Sequence, residues 1–269
     1  GGRGSGQEID VRIPQLGFRV QLLALLDNQV RFGRIQAFSP QFVFYDLEHP
    51  ARTPGNENYL RGLPDIEIET VQVKDGDFTY VRDVKGTHAV FHVHQISLAS
   101  GALGSSPRLK DAPLQVEAAA QVESSGHVDL HVETYALRRP LQMDIDLKVK
   151  AQNLADLSRF FKPNAGVELN GILLSGHGVE HLHGRELRAS LQAEYQDFTL
   201  KVDPMYDRSE VTAFFTNLGA GLALKKHNRE ASQADQTRAV HLARQPTESI
   251  VSFLLRGLKE SSLDVAKAP

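Results

Sequence analysis

Apolar and polar residues alternate one by one over much of this chain. Leu114, Val116, Ala118, Ala120 and Val122 are interleaved with Gln115, Glu117 and Gln121, up to the turn signal Ser124-Ser125-Gly126. Val128, Leu130 and Val132 then alternate with His127, Asp129, His131 and Glu133. Beyond Arg138-Arg139-Pro140 the pattern returns as Leu141, Met143, Ile145, Leu147 and Val149, against Gln142, Asp144, Asp146 and Lys148. Successive side chains of a strand point to opposite faces, so each segment predicts a strand with one apolar and one polar face, joined to the next by a reversal. Leu141 to Val149 would span roughly 30 Å, longer than the common strand of about five or six residues. The same signature recurs at Leu187, Ala189, Leu191, Ala193 and Tyr195, and again at Phe198, Leu200 and Val202. Weaker versions cover Ile9 to Ile13, Val30 to Phe38, Gln41 to Leu47, Ile66 to Val73, Phe78 to Val81 and Ala89 to Leu98. The predicted fold class is mainly β, with long antiparallel hairpins.

Helical spacing is confined to short pieces. Asn153 can cap a helix carrying Leu154, Leu157, Phe160 and Phe161 on one face, with Asp156 in its first turn and Pro163 expected to stop it after Lys162. Val20 to Leu26 is a second candidate, and Ser209 can cap a third that carries Val211, Phe214, Phe215 and Leu218. After Pro246 and the cap candidate Thr247, Ile250, Val251, Phe253, Leu254 and Leu258 form an apolar stripe opposite Glu248, Ser252, Arg256 and Lys259. Residues Glu48 to Pro64 and Asn228 to Thr237 read as loops. The first eight residues, with Gly1-Gly2-Arg3-Gly4-Ser5-Gly6, read as a linker, residues 9–265 as one elongated domain, and 266–269 as a tail. Similar strand patterns on both sides of Lys110 favour one continuous sheet.

Composition narrows the chemistry. Thirty Lys and Arg against 33 Asp and Glu give a net charge of -3, without the basic excess of a nucleic-acid footprint. The absence of Cys excludes disulfides, thiolate metal sites and cysteine nucleophiles. With aromatics at 7% and no Trp, the apolar surface is mainly aliphatic, which suits sheet packing and lipid chains alike. No stretch approaches the roughly 18 apolar residues of a membrane span.

Histidine alone invites a catalytic or metal reading. His92 and His94 project from one strand face about 7 Å apart, a spacing zinc sites use, but His88 lies too far along and nothing in the sequence brings His177, His181 or His183 to them. Half-exposed histidines on the polar side of strands is the favoured reading. Asp129, Glu133, Asp144 and Asp146 alternate strictly with apolar residues, which marks a solvated face rather than an acid/base pair. Ser124 and Ser125 sit in a turn without an elbow motif, and Gly219 and Gly221 lack the rest of a dinucleotide fingerprint. Lys225, Lys226 and Arg229 form a small basic run that reads as a solvated face before it reads as a lipid-headgroup contact. No catalytic residue, metal ligand or cofactor is expected, and the chain reads as non-enzymatic.

The order of motifs carries a family resemblance. Leu22-Leu23-Ala24-Leu25-Leu26, followed by Val30 to Ile35 and Ser39-Pro40-Gln41-Phe42-Val43, resembles the opening of AsmA-like (AsmA/TamB-type) bacterial envelope proteins. Leu63-Pro64-Asp65-Ile66-Glu67-Ile68 with Val73 to Tyr80, then Asn153 to Phe160 with Leu169-Asn170-Gly171-Ile172-Leu173, continue it. Gly184 to Leu187, Tyr195 to Phe198 and Arg244 to Leu258 are similar to that family's C-terminal portion, so the likeness covers nearly all of residues 16–265. It implies a curled sheet with an apolar concave groove, in the periplasmic part of a protein tethered to the inner membrane of a Gram-negative cell. It also implies a partner of phospholipid or other acyl-chain type, with envelope membrane proteins as further partners and no nucleic acid. The groove lining expected on this reading is Leu114, Val116, Val128, Leu130, Val132, Leu141, Met143, Ile145, Leu147, Leu187 and Leu191. The alternative is an envelope scaffold whose apolar face is packed shut as a core.

Overall fold

The alternating segments resolve into thirteen strands joined in one sheet, in a computed structural model that describes residues 6–21, 24, 29–47, 65–84, 87–135, 137–203, 237–245, 253–254, 256–257 and 260. The strands are β1 (Gly6–Arg12), β2 (Gln15–Val20), β3 (Gln29–Phe38), β4 (Gln41–Leu47), β5 (Asp65–Val84), β6 (Thr87–Ser100) and β7 (Leu103–Gly104). They continue as β8 (Leu114–Val122), β9 (Gly126–Thr134), β10 (Gln142–Asn153), β11 (Val167–His183), β12 (Glu186–Val202) and β13 (Thr237–Ala243). Helix α1 (Leu154–Ala165) separates β10 from β11. The sheet runs in the order β1-β4-β5-β6-β8-β9-β10-β11-β12-β13, with β2, β3 and β7 joined at its sides. Strand β1 starts at Gly6, so Gly6 to Glu8 belong to the sheet and not to a linker.

Two expectations need correction here. The sheet is mixed, not antiparallel throughout, because β3 and β4 both run parallel to β5. Alternation reports which face a residue occupies, but is silent on the direction of the neighbouring strand. The segments expected at Ile66 to Val73 and Phe78 to Val81 are one strand of 20 residues, and Leu187 to Val202 likewise lies in a single strand, β12.

Register explains how so long a strand bends without slipping. Paired residue numbers in β1–β4, and in β2–β3 up to Arg19, sum to 53, as in Val11 with Phe42 and Leu16 with Ala37. Those in β3–β5 and β4–β5 both differ by 36, as in Phe38 with Lys74 and Gln41 with Asp77. The first four strands are therefore two long strands bent at Ile13-Pro14 and Ser39-Pro40. The bend continues into β5 at Asp75-Gly76 and into β6 at Gln95-Ile96, and Ser39, Asp75 and Gln95 all take positive φ. Backbone bonds from Ser39 N–H to the Lys74 carbonyl and from Asp77 N–H to the Pro40 carbonyl hold the corner closed.

Helix α1 forms where expected. The Asn153 side chain accepts from the Ala155 N–H, and Gly166, with φ 65, closes the last turn by donating to the carbonyls of Phe161 and Lys162. Pro163 does not stop it: the proline lies inside the last turn and the helix continues to Ala165. A proline near a helix C-terminus removes one N–H bond, and the Gly166 cap holds the turn without it. Of the Val20 to Leu26 candidate, Val20 ends β2, Gln21 donates its N–H to the Arg31 carbonyl, and Ala24 lies buried in a 3-10 turn; Leu22, Leu23, Leu25 and Leu26 fall outside the described residues. The Ser209 candidate, the loop at Glu48 to Pro64 and the basic run at Lys225, Lys226 and Arg229 lie outside them too.

Among the described residues the buried core is small and divided. One cluster centres on Val167 and Leu169, packed by Leu154, Leu157 and Phe161 of α1 and by Phe198, Leu200 and Val202 of β12. The other joins Leu182, Leu187 and Ala189 to Phe253, with Leu141, Met143, Val240, Leu242 and Leu254 around them. Residues 253–254 and 256–257 are helical, and Phe253 is fully buried, so this part of the C-terminal stripe docks on the sheet. Gly257 permits the close approach, since a Cβ there would overlap the Glu180 carboxylate and the Leu187 side chain. Phe253→Ala should cost about 3–5 kcal/mol in urea unfolding, as expected for a fully buried aromatic. An unchanged unfolding midpoint would mean that the docked segment contributes nothing to the fold.

Candidate functional site

Directly opposed residues share a face, so the registers carry the apolar positions across the sheet in rows. Val116 lies opposite Val132, and Val132 opposite Ile145; Ala118, Leu130 and Leu147 form the next row, and Ala120, Val128 and Val149 the third. Across β10, Leu147 faces Gly178 and Val149 faces Gly176, and these in turn face Leu191 and Ala193. In the other direction Ala118 faces Leu98, and Leu98 faces Val73. The middle row thus crosses seven strands, about 29 Å at the usual inter-strand spacing.

Ten of the eleven expected lining residues are half-buried: Leu114, Val116, Val128, Leu130, Val132, Leu141, Met143, Ile145, Leu147 and Leu191. They share one face as the alternation required. Leu187 differs, being fully buried beneath Phe253. The face is therefore covered at this end, where Leu141 and Met143 also pack against the cluster of Leu182, Leu187, Ala189 and Phe253. Between the ends it is neither fully packed nor fully exposed.

The other end is closed by α1, which packs against β11 and β6 past the β8–β9 turn. Strands β8 and β9 stop at residues 122 and 126, leaving a notch that the helix fills. Ser158 substitutes for a strand there: its hydroxyl accepts from the Leu169 N–H at 2.6 Å and donates to the Leu169 carbonyl at 2.7 Å. On the β6 side Phe160 packs edge-on against Tyr80 and Phe91. Burial, then the hydrogen bond and negative charge of Asp46, push the Tyr80 phenol up to about 12, so it remains a donor to Asp46 at 3.0 Å. The turn itself is fastened by Asp156, which accepts from the Ser124 and Ser125 hydroxyls at 2.7 and 2.8 Å.

Polar groups sort onto the opposite face and pair with one another. His177 Nε2 and Asp146 Oδ2 lie 3.1 Å apart, His181 Nδ1 and Asp144 Oδ1 2.7 Å, and Lys148 Nζ and Asp146 Oδ1 3.4 Å. Asp129 lies 3.9 Å from Lys150, and Glu133 accepts from the Gln115 amide at 3.2 Å. Burial tends to raise the Asp146 carboxyl, but the hydrogen bond and charge of His177, with help from Lys148, hold it below its ordinary value. His92 and His94 stack with ring centroids 5.4 Å apart and turn to different partners, Thr79 at 3.3 Å and Asp77 at 3.0 Å. No group of three or more potential metal ligands converges among the described residues.

A cavity of about 530 Å³ opens on this polar face, lined by Glu117, Asp129, His131, Asp146 and Lys148 among others. Of the expected lining residues it touches only Leu130. Its charged residues alternate with Ser97, Ala99 and Ala119 of the same face, and it reaches the apolar rows only at Ala118 and Leu130.

Four residues of the apolar face escaped the sequence pattern. Gly176, Gly178 and Glu180 occupy its β11 positions, opposite Val149, Leu147 and Ile145. With no large apolar group at any of the three, the alternation that would have marked β11 is erased. Gln152 is nearly fully buried against Gly126, brought to this face by the irregular backbone at Ala151, where φ is 55. Comparison with protein-family models and with curated proteins finds no match for this chain.

The Asp156 clamp gives a pH test. Hydrogen bonds from Ser124, then Ser125, together with the charge of Arg159, outweigh burial and hold the Asp156 carboxyl below its ordinary value. Its contribution is therefore complete above about pH 4, the unfolded-chain pKa, and is lost as pH falls through the lower folded value. Asp156→Asn should be less stable than the parent chain at pH 7, and the gap should close on acidification below about pH 4. Urea unfolding across that range reads the difference; a gap independent of pH would show that the carboxylate charge is irrelevant.

Proposed function

We propose that this chain binds acyl-chain lipid, phospholipid above all, along the apolar face between its two covered ends, and that it does so without catalysis. The single observation that carries this reading is that the middle rows, from Val116 to Leu191, remain half-exposed while both ends are packed under helices. Ordinary sheet packing buries such a face completely. Gly176 adds support. A Cβ at this position would meet Leu173 and Val149 at 3.6 and 3.7 Å, ordinary contact distances, so packing does not require a glycine there. With glycine there, the row beside Val149 lacks the side chain that an alternating strand would place on it.

The order of motifs in the sequence supports placing the chain among AsmA-like envelope proteins, as a periplasmic part of an inner-membrane-tethered protein that carries lipid toward the outer membrane. No helix among the described residues is long and apolar enough to cross a membrane. On this reading His94, His177 and His181 and their partners Asp77, Asp146 and Asp144, which lie on the opposite face, take no part in the function.

Leu147→Asp tests the groove at its centre, where Leu147 lies between Leu130 and Gly178. In an open groove the new carboxylate keeps water, so folding should survive with a loss of about 1–2 kcal/mol, while a fluorescent fatty acid binds about tenfold more weakly. Ser175→Asp, on the exposed opposite face beside Lys150, is the control and should change neither property. Lipid extraction from protein purified from cells provides the complementary measurement. A folded Leu147→Asp protein that binds normally would overturn the groove, and a chain that fails to fold would favour the closed scaffold.

A further inference from the structure

Strand β1 pairs with β4 along one side, and among the described residues no strand lies beyond it. Alternate N–H and C=O groups of an edge strand point outward, ready to pair with another chain. Large apolar side chains are also concentrated here. Ile9 is 63% exposed, Val11 48%, Ile13 41%, Leu16 52% and Phe18 63%, five of the seven exposed large apolar residues among the described residues. Soluble edge strands are commonly guarded by lysines, inward-pointing charges or short length. Strand β1 has no lysine and displays Ile9 and Val11 on the same face as Phe44 and Phe42 of β4.

The sequence of this edge identifies what fits it. Ile9-Asp10-Val11-Arg12-Ile13 reads apolar, acidic, apolar, basic, apolar, and reads so in either direction apart from exchange of the two charges. We propose that residues 9–13, the last part of β1 and Ile13 just beyond it, pair antiparallel with the same residues of a second copy about a two-fold axis through Val11, joining two sheets edge to edge. In that register Asp10 of each copy faces Arg12 of the other, Ile9 faces Ile13, and Val11 faces itself. Opposed apolar residues and opposed unlike charges both stabilise an antiparallel pair.

Neighbouring registers fail on the same chemistry. An axis through Asp10 sets the two Asp10 carboxylates against each other, and one through Arg12 does the same with two guanidinium groups. An axis between residues sets Val11 opposite a charged residue, so the apolar face of one copy would run into the polar face of the other. The contact is isologous, as a two-fold dimer requires. With five residues per copy it is also short, so the dimer is weak and depends on concentration. The inference does not rest on the lipid reading.

Sedimentation velocity from micromolar to submillimolar concentration tests it on the full chain. The parent chain should shift from monomer to dimer across that range. Asp10→Arg and Arg12→Asp should each weaken dimerisation by about tenfold or more, because symmetry applies each substitution twice and turns two attractive pairs repulsive. The double variant Asp10→Arg/Arg12→Asp should restore it. All these side chains are exposed, and circular dichroism verifies that the variants remain folded. A parent chain that remains monomeric throughout, single reversals without effect, or a double variant no better than the singles would each overturn the proposal.

Discussion

Residues directly opposite one another on antiparallel strands occupy the same face, and a slip of one residue would exchange apolar for charged side chains along a whole strand. From β8 to β10 the registers hold without interruption, Val116 to Val132 to Ile145 on one side and Glu117 to His131 to Asp146 on the other. Everything else in the molecule depends on this separation. It keeps the charges of the polar face near one another, where they pair, and keeps the apolar rows continuous, where they can be covered. The registers shift at β2–β3, β5–β6, β6–β8 and β11–β12; those of β5 and β6 fall at the bend through Gly76 and Ile96.

The two helical pieces divide the apolar face into covered ends and a half-open middle. Both act by supplying what the strands lack. At one end α1 takes the place of strands that stop short, with the Ser158 hydroxyl bonded to both polar backbone groups of Leu169. At the other, Phe253 fills the space over Leu182, Leu187 and Ala189, and Gly257 lets its segment lie close. Neither piece reaches the rows from Ala118 to Leu191 in the packing clusters of the described residues.

The polar face shows why histidine-rich strands need not mean chemistry. His177 and His181 lie within hydrogen-bonding distance of Asp146 and Asp144 on the adjacent strand, and His94 is similarly placed beside Asp77. Each of these three imidazoles lies beside a carboxylate of its own, and among the described residues no group of three or more potential metal ligands converges. These pairs lie at a surface in contact with water, where their worth to stability is small.

Period-two alternation made most strands legible, because a half-buried sheet face imposes it residue by residue. The cap at Asn153 and the docking residue Phe253 were legible as well, since both are properties of a local stretch: an N-cap followed by helical spacing, and an apolar stripe too large to leave in water. The ten half-buried lining residues were placed on one face by the same logic. Other features could not be read in this way. Strand β11 was obscured because Gly176, Gly178 and Glu180 hold its apolar-face positions, and their fitness depends on Gly257 and on the neighbouring strands rather than on their own polarity. The parallel pairing of β3 and β4 with β5, the bend through Pro14, Pro40 and Gly76, and the burial of Leu187 all depend on segments far apart in the chain. The sequence by itself determined which side chains share a face, because that follows from backbone geometry within each strand. Only the tertiary structure decided which strands are neighbours and which part of the face remains uncovered, because those follow from contacts between strands and helices that no local pattern encodes.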